Sequence, residues 1–325
     1  MRIDSMRGFK AIFYRILQHP VPIPLLIFTL IFISYLNHLR YPSSPNLDLQ
    51  TTTPSIRQVL KDVYISPAAQ KLPKRGLLFC FVTTIPRYHA TRAQTVVETW
   101  LQRCDHGELF TSNSSWLPEV VPYRTIYRNL NDTYEELFWK SKISLFYVFT
   151  HISPNFDWYL KADDDTYVIT ENLRAYLASF DASKPHYIGF RMKPYLKDGY
   201  NSGGAGYVLS RQAMRIFAEI LYYDESLCKF NEFEDVGIGK CLANAGIYPT
   251  ITSDVEGRQR FLPYDFQQVY EGMLSSKEAE YWFKEKPKKG NSAFTPDLIS
   301  IHHITPDTMR ALELSLYKIR ISSTT

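Results

Sequence analysis

The sequence predicts an α/β fold in which helices flank a mostly parallel central sheet. From residue 76 onward, short apolar segments with strand composition alternate with longer segments of helical period. One predicted strand, within Trp158 to Val168, runs into three consecutive aspartates, Asp163 to Asp165. Ligands of such folds bind beyond the carboxyl ends of the strands, so these carboxylates mark the predicted site.

The first predicted strand covers Leu77 to Thr83, because this apolar run is too short for a helix. A helix over Thr91 to Arg103 follows it. A second helix covers Tyr134 to Ile152, where the apolar residues form one stripe, and Thr133 with Glu136 predicts a capping box at its start. The later predicted elements are a helix over Glu171 to Phe180, strands at Tyr187 to Phe190 and Gly206 to Leu209, and a helix over Arg211 to Tyr222.

Composition and charge indicate a globular protein that does not bind nucleic acid. The chain has 325 residues, of which 45% are hydrophobic and 15% aromatic, enough to build a packed core. Its net charge of +4 is spread widely, and the longest basic run is Lys286 to Lys289, interrupted by Pro287. This distribution is not the basic footprint of a nucleic-acid-binding surface.

The N-terminal region predicts a single membrane anchor. Between Arg15 and Arg40 the chain has no acidic or basic side chain except histidine, and Val21 to Leu36 is almost wholly apolar. Four basic residues precede it against one acid, so the tail is expected in the cytosol and the remainder in the lumen. No small-residue cleavage pattern follows Leu36, which favours an uncleaved signal anchor over a removed signal peptide, although a secreted form is the alternative.

These features divide the chain into five predicted parts. They are a cytosolic tail at 1–19, a transmembrane helix at 20–39, a stem at 40–75 that is rich in proline, serine and threonine, a catalytic domain at 76–310 and a C-terminal tail at 311–325. Two acceptor triplets for N-glycosylation, which begin at Asn113 and Asn131, agree with a luminal position.

The four cysteines predict two disulfide bonds in an oxidising compartment. Four cysteines allow three connectivities. Cys80 lies in a predicted strand and Cys104 at the end of the next helix, while Cys228 and Cys241 flank one loop-to-helix turn. We expect the pairs Cys80–Cys104 and Cys228–Cys241. A zinc site is the alternative use, but no pair has the short spacing that zinc ribbons and fingers show.

The aspartate cluster predicts a site for a divalent cation. Along an extended strand the side chains at i and i+2 share a face, so Asp163 and Asp165 can converge on one ion while Asp164 points elsewhere. Hard oxygen ligands suit Mn²⁺ or Mg²⁺, whose remaining positions water and phosphate oxygens fill. A solvated acidic turn after an edge strand is the alternative interpretation.

Two further motifs carry candidate site residues. Glu234 and Asp235 stand at the start of a predicted helix, where one of them could act as a general base. Equally, acids at this position complement the helix dipole. Gly203 and Gly204 precede a predicted strand and could let the backbone approach a ligand, although a β-bulge explains them as well.

Taken together, these motifs resemble the inverting β1,3-glycosyltransferases, most closely the core 1 type that adds galactose to N-acetylgalactosamine on Ser or Thr. The resemblance runs from about Gly76 to Ile304. It includes Thr99–Cys104, Phe138–Lys140, Trp158–Val168, Gly189–Tyr195 with Gly199–Tyr207, and the Glu234–Asp235 pair. The chain departs from this type in having four cysteines rather than the usual six, and in its aromatic segment Tyr281–Phe283.

The resemblance implies a fold, a reaction and a location. The fold would be the GT-A nucleotide-sugar-binding type, the donor UDP-galactose and the cofactor Mn²⁺. The acceptor would be a glycoprotein that carries N-acetylgalactosamine on Ser or Thr. The protein would be a single-pass type II protein of the Golgi membrane that could form a homodimer.

The resemblance also implies roles for individual residues. Asp165 would bind the metal, with Asp163 beside it or on the ribose, and His302 would be the late metal-binding histidine, with His303 as its alternative. Asp235 would be the base, with Glu234 in reserve. The residues implied to meet the nucleotide sugar are Thr83, Thr84, Arg87, Arg92, Lys140, Lys161, Asp163, Asp164, Gly203 and Gly204.

Other interpretations remain open at this stage. For Arg92 and Lys140 a solvated helix face is about as good an explanation as contact with the donor. A non-catalytic relative could act as a luminal folding partner or glycan-binding protein. A glycoside hydrolase with two carboxylates is a third reading, but it explains neither the three consecutive acids nor the late histidine.

Overall fold

The computed structural model of the protein describes residues 60–272, 275–285 and 288–320. The predicted cytosolic tail and transmembrane helix lie outside these residues. Among the residues described, no helix combines the length and apolar character that a membrane span requires.

Eleven strands and nine α-helices are found in the described part of the chain. The strands are β1 Gly76–Thr83, β2 His106–Phe110, β3 Tyr123–Arg124, β4 Phe156–Asp163, β5 Tyr167–Val168, β6 Tyr187–Gly189, β7 Arg191–Met192, β8 Tyr200–Asn201, β9 Tyr207–Ser210, β10 Phe261–Leu262 and β11 Ser300–Ile301. The helices are α1 Pro67–Gln70, α2 Gln94–Glu98, α3 Leu137–Tyr147, α4 Thr170–Leu177, α5 Arg211–Ile216, α6 Glu234–Asn244, α7 Phe266–Glu271, α8 Ser276–Trp282 and α9 Pro306–Tyr317.

The central sheet confirms the predicted α/β fold but is mixed rather than mostly parallel. Its strand order is β3-β2-β1-β4-β9-β6, and the first four strands in this order, β3, β2, β1 and β4, are parallel to one another. β9 runs antiparallel to both β4 and β6. The reason is that β6–β7 and β8–β9 form one long hairpin, in which Gly189 pairs with Tyr207 and Met192 with Tyr200. A hairpin reverses the chain without a crossover helix, which strand and helix alternation alone does not reveal.

β1 lies inside this sheet and is covered on both faces. Its side chains alternate between two apolar clusters: Leu78, Cys80 and Val82 belong to one, and Phe79 and Phe81 to the other. A strand buried on both faces reads as a continuous apolar run, as this one does. The core therefore fixes the carboxyl ends of β1 and β4, where Thr83 pairs in register with Asp163.

The predicted helices exist but are shorter or interrupted. The helix predicted over Thr91 to Arg103 is a π-helical turn at His89–Ala93, then α2, then a 3₁₀ turn at Leu101–Arg103. The helix predicted from Tyr134 begins at Leu137, and no side chain caps it, so the capping box is wrong. Its residues from Phe138 to Tyr147 are all buried, because the helix packs between other elements instead of presenting one polar face.

Both predicted disulfide bonds are confirmed. Cys80 in β1 is bonded to Cys104, and Cys228 is bonded to Cys241 in α6, with Cα atoms 6.1 and 4.4 Å apart. The first links the central strand to the segment after α2. The second ties the loop before α6 to that helix, which begins with Glu234 and Asp235.

The chain segments at both ends of the described region pack onto this sheet. The Ser66 hydroxyl is buried, donates to the Val121 carbonyl and accepts from the Tyr123 amide, so residues before Gly76 cover the β3 edge. At the other end, α9 extends beyond residue 310, and Glu313 accepts hydrogen bonds from Arg103 and Tyr167. The division of the chain at residues 75 and 310 remains a prediction.

Candidate functional site

The three aspartates stand at the carboxyl end of β4 and turn toward different partners. Asp163 is the last residue of β4, and its carbonyl accepts from the Thr166 amide in a turn that leads to β5. The sheet places this turn beside the end of β1, where Thr83 and Thr84 lie. Each carboxylate thus has its own set of contacts.

Asp165 forms a cluster with two histidines from a distant part of the chain. Its Oδ1 is 3.2 Å from His302 Nε2, and its Oδ2 is 3.9 Å from His303 Nδ1. Antiparallel pairing of β11 with β5 brings these residues together, because Ile301 lies opposite Tyr167. His302 is 15% exposed and its Nδ1 lies 3.2 Å from the Pro263 carbonyl, whereas His303 is 50% exposed.

The charges in this cluster support one another. Burial alone would raise the pKa of Asp165, but His302, Arg92 and His303 together hold it below its ordinary value. Burial alone would lower the pKa of His302, but the neighbouring Asp165 raises it above its ordinary value. A carboxylate and an imidazole that face each other in this way can also share a cation.

Asp164 and Arg92 form a second group at the same edge of the sheet. Asp164 accepts a 2.7 Å hydrogen bond from Thr84 Oγ1, and Arg92 Nη1 lies 3.3 Å from it and 3.0 Å from Asp165. Burial raises the pKa of Asp164 to about 7. The Arg92 guanidinium lies over the Tyr88 ring at 4.3 Å, so this side chain faces the site instead of a solvated helix surface.

Asp163 pairs with a buried lysine. Lys161 Nζ lies 2.6 Å from Asp163 Oδ1 and 4.0 Å from Glu234 Oε2. Burial opposes the charge on Lys161, but the two carboxylates outweigh it and raise its pKa above the ordinary value. Lys161 thus joins the end of β4 to the start of α6.

Glu234 and Asp235 differ in their surroundings although they are adjacent. Glu234 is buried and accepts a 2.9 Å hydrogen bond from the Tyr207 hydroxyl. Asp235 accepts from the amides of Gly203 at 3.3 Å and Val236 at 2.8 Å. Burial, with the neighbouring Glu234 adding to it, raises the pKa of Asp235 to about 6.

The two glycines make room for side chains of the site. A Cβ atom on Gly203 would lie 2.5 Å from Glu234 Oε2, and one on Gly204 would lie 2.0 Å from His302 Cε1. Neither distance is compatible with a side chain at the present positions of Glu234 and His302. Sequence reasoning missed this function, because the partners come from segments that follow much later in the chain.

All the residues proposed from the sequence line two adjoining cavities of about 380 and 440 Å³. Thr83, Asp163 and His302 belong to both. The larger cavity, here called the cationic cavity, also has Thr84, Arg87, Arg92, Lys140, Asp164 and Asp165. The smaller one, here called the carboxylate cavity, also has Lys161, Gly203, Gly204, Glu234 and Asp235. Each volume falls within the range of about 300–1,000 Å³ that is typical of small-molecule sites.

The structure adds residues that sequence reasoning did not select. Tyr134 and Leu137 line both cavities, and Met192 and Tyr264 line the carboxylate cavity. Asp132 lines the cationic cavity and accepts a 2.6 Å hydrogen bond from Lys140, whose side chain is fully buried. The solvated-face interpretation of Lys140 is therefore wrong. The sequence assigned Tyr134 to the apolar stripe of a predicted helix and Asp132 to an acceptor triplet, so neither residue carried a signal for this site.

Proteins of similar sequence support the resemblance that the motifs indicate. The chain is 35% identical over 256 residues to glycoprotein-N-acetylgalactosamine 3-beta-galactosyltransferase 1 of Xenopus laevis, an alignment that covers 78% of this chain and 69% of that protein. It is 27% identical over 219 residues to human chondroitin sulfate synthase 3, of which it spans 23%. It is also 27% identical over 201 residues to the beta-1,3-glucosyltransferase of Mus musculus, of which it spans 39%.

Solved structures show a more distant likeness. The galactosyltransferase LgtC aligns with a TM-score of 0.42 and 11% identity, over 74% of this chain and 97% of its own. A glycosyltransferase involved in glycosylation of the major capsid of PBCV-1 aligns with a TM-score of 0.31 and 18% identity, over 49% and 72%.

A family model also matches, described as Fringe-like, over residues 74–256. This range contains β1, the three aspartates, both glycines and the Glu234–Asp235 pair. The resemblance to β1,3-glycosyltransferases that the motifs indicated is confirmed by the Xenopus relative. The chain therefore belongs to the Fringe-like family.

Proposed function

We propose that this protein is a metal-dependent inverting glycosyltransferase that transfers galactose from UDP-galactose to N-acetylgalactosamine on Ser or Thr of glycoproteins, in β1,3 linkage. The name of the Xenopus relative describes a galactosyltransferase for this acceptor sugar. The observation that carries the proposal is the pair of joined cavities, one with the Asp165–His302 cluster and the other with Asp235. A donor and an acceptor could thus meet where the cavities join.

The residues present fit a divalent cation such as Mn²⁺. Ligand atoms of Asp165, His302 and His303 lie within 4.8 Å of one another. Carboxylate oxygen suits Mn²⁺, and imidazole nitrogen is a ligand of divalent first-row metals in general. We assign Asp165 and His302 as metal ligands. Asp163 would lie beside the metal or contact the ribose, because it lines both cavities, as His302 does. When bound, the cation would neutralise charge that develops on the departing UDP.

The donor diphosphate would lie in the cationic cavity. Arg87, Arg92 and Lys140 supply positive charge there, and Thr83 and Thr84 supply hydroxyl groups at the end of β1. Arginine and lysine are the side chains that favour phosphate oxygens. Asp132 and Asp164 partly neutralise Lys140 and Arg92, so these cations are held in place before any ligand binds.

Asp235 would act as the general base. One oxygen of Glu234 is held by Tyr207 and the other lies near Lys161, whereas Asp235 is the less buried of the two carboxylates. Asp235 would accept the proton of the acceptor hydroxyl as that oxygen attacks the sugar carbon. The bond to UDP breaks in the same in-line step, which inverts the configuration without a covalent sugar–enzyme intermediate.

A luminal position in the Golgi membrane completes the proposal. The predicted anchor would place residues 40–325 in the lumen. Two disulfide bonds agree with an oxidising compartment, and both Asn113 and Asn131 are exposed, as acceptors of N-linked glycans must be.

A transfer assay tests the function directly. A soluble fragment that begins near residue 40 is incubated with Mn²⁺, UDP-galactose and a glycopeptide that carries N-acetylgalactosamine on threonine. We expect a disaccharide whose linkage is β1,3 by nuclear magnetic resonance. If neither transfer nor Mn²⁺-dependent binding of UDP by calorimetry is observed, the proposal is wrong and a non-catalytic folding partner or glycan binder is favoured.

Substitution of Gly204 by alanine is expected to weaken Mn²⁺-dependent binding of UDP by about 10- to 100-fold, because the new methyl group displaces a proposed metal ligand. The methyl carbon would otherwise lie 2.0 Å from His302 Cε1. Gly203→Ala is the matched control, since its methyl group meets Glu234 rather than His302. Equal UDP affinities of Gly204→Ala and the wild type would contradict the metal assignment.

The rate of transfer is expected to fall as the pH drops below about 6. Asp235 works as a carboxylate, and burial raises its pKa from 3.8 to about 6. Protonation therefore removes the base at a higher pH than for an ordinary aspartate, with kcat/KM falling about tenfold per pH unit well below the pKa. Binding of Mn²⁺ and UDP is measured over the same range as a control. A rate that stays constant down to pH 5 would argue against Asp235.

A further inference from the structure

At the carboxylate cavity Lys161 lies between two carboxylates, Asp163 at 2.6 Å and Glu234, with which it forms a buried pair of opposite charges. Only 5% of the Lys161 side chain and 8% of the Glu234 side chain are exposed, and their charged atoms are 4.0 Å apart. A pair this deeply buried contributes little net stability, because loss of hydration offsets the attraction between the charges. The position of the pair, adjacent to the proposed base, indicates a role in the site.

Both residues are connected to Asp235 through Gly203. Lys161 Nζ lies 3.4 Å from the Gly203 carbonyl oxygen, and the Gly203 amide donates to Asp235 Oδ2. The missing side chain of Gly203 leaves space that Glu234 Oε2 occupies. The backbone of one glycine thus contacts the lysine, the glutamate and the base.

Tyr207 fixes the other end of this arrangement. It lies directly opposite Lys161 on the neighbouring strand β9, and its hydroxyl donates to Glu234 Oε1. Its ring is also within 5.8 Å of Lys161 Nζ. Because β4 and β9 are neighbouring strands of the central sheet, Lys161 and Tyr207 are held in register, and the Tyr207 hydroxyl connects Glu234 to that sheet.

We propose that Lys161 and Glu234 are positioning residues that hold Asp235 against Gly203 and act on its carboxylate with opposite charges. This inference rests on the proposed function, in which Asp235 is the base. It assigns Glu234 a structural and electrostatic role instead of the reserve role of a second base.

The groups that face Asp235 make this testable through the pH dependence of transfer. Burial and the negative charge of Glu234 raise the pKa of Asp235, whereas the positive charge of Lys161 lowers it. Tyr134, Tyr187 and Tyr200 also lie near Asp235, and their raised pKa values keep them neutral at pH 6. Asp163, His302 and His303 line the same cavity. Mn²⁺ and UDP-galactose are therefore kept at saturating concentrations, so that the charge of these three residues stays constant across the pH range.

The experiment measures kcat/KM for the acceptor against pH in Lys161→Met and Glu234→Gln. Loss of the positive charge should move the acid limb of the profile to higher pH, and loss of the negative charge should move it to lower pH, each by roughly one pH unit. The double variant should fall between them. A merely structural role would lower activity without moving the limb in opposite directions.

Lys142→Met is the matched control, because Lys142 is also fully buried but donates to the Cys228 carbonyl and lines neither cavity. Its acid limb should coincide with that of the wild type. If Lys161→Met does not fold, Glu234→Gln decides, since its amide still accepts from Tyr207 and only the charge is lost.

Four results separate the outcomes. Limbs that move in opposite directions support the inference. If the limbs do not move although Asp235→Asn is inactive, the inference is overturned and the proposed function stands. The same holds if Glu234→Gln loses transfer as completely as Asp235→Asn does. Full transfer by Asp235→Asn overturns the proposed base itself.

Discussion

Substitution of Asp235 by asparagine is expected to reduce the rate of transfer by orders of magnitude and to leave Mn²⁺-dependent binding of UDP unchanged. The amide keeps the size of the side chain and can still accept from the Gly203 amide, but it cannot take a proton from the acceptor hydroxyl. General base catalysis typically contributes about 10²- to 10⁴-fold, so kcat should fall by that order. Calorimetry with UDP and Mn²⁺, together with initial rates of galactose transfer, checks both parts of this expectation.

Glu232→Gln is the matched control for this variant. Glu232 stands three residues before Asp235 in the same segment but is exposed, and it lines neither cavity. Its rate should equal that of the wild type. A variant at Asp235 that transfers galactose at the full rate would show that another group takes the proton.

Substitution of Asp165 by asparagine is expected to remove Mn²⁺-dependent binding of UDP and, with it, all transfer. The loss should exceed the effect of Gly204→Ala, because the substitution replaces a proposed ligand instead of displacing one. The variant also removes the negative charge that contacts His302, His303 and Arg92. His302 should then titrate at a lower pH, since Asp165 makes the largest contribution among the groups that raise its pKa.

Calorimetry and proton spectroscopy of the histidine rings measure these two effects independently. Asp157→Asn is a suitable control, because Asp157 lies in the same strand β4 but is paired with Arg211 near the surface. Retained affinity for Mn²⁺ and UDP in Asp165→Asn would refute the metal assignment even if transfer were lost.

Sequence reasoning reached the parts of the site that are encoded by short motifs. Asp163 to Asp165 follow an apolar strand, so their place at a strand end could be predicted from local pattern alone. The pairing of Cys228 with Cys241 was predictable for the same reason, since both flank one turn. Local pattern could not supply the direction of β9, because a hairpin and a helical crossover both follow a strand of the same composition.

The roles of several site residues depend on contacts between segments that are far apart in the sequence. Gly204 is explained only by His302, and Gly203 only by Glu234. Lys140 was ambiguous in the sequence because its helix looked amphipathic, whereas the structure buries that helix on all sides. Such environments are set by tertiary packing, which the periodicity of one segment does not contain.

The pairing of β11 with β5 has a consequence for biosynthesis. Asp165 emerges from the ribosome long before His302, and contacts at such sequence separation form late in folding. A nascent chain that has not yet added β11 to β5 lacks the imidazole half of the Asp165–His302 cluster. Assembly of this cluster therefore reports that β11 has docked, and a polypeptide that ends before β11 would lack it.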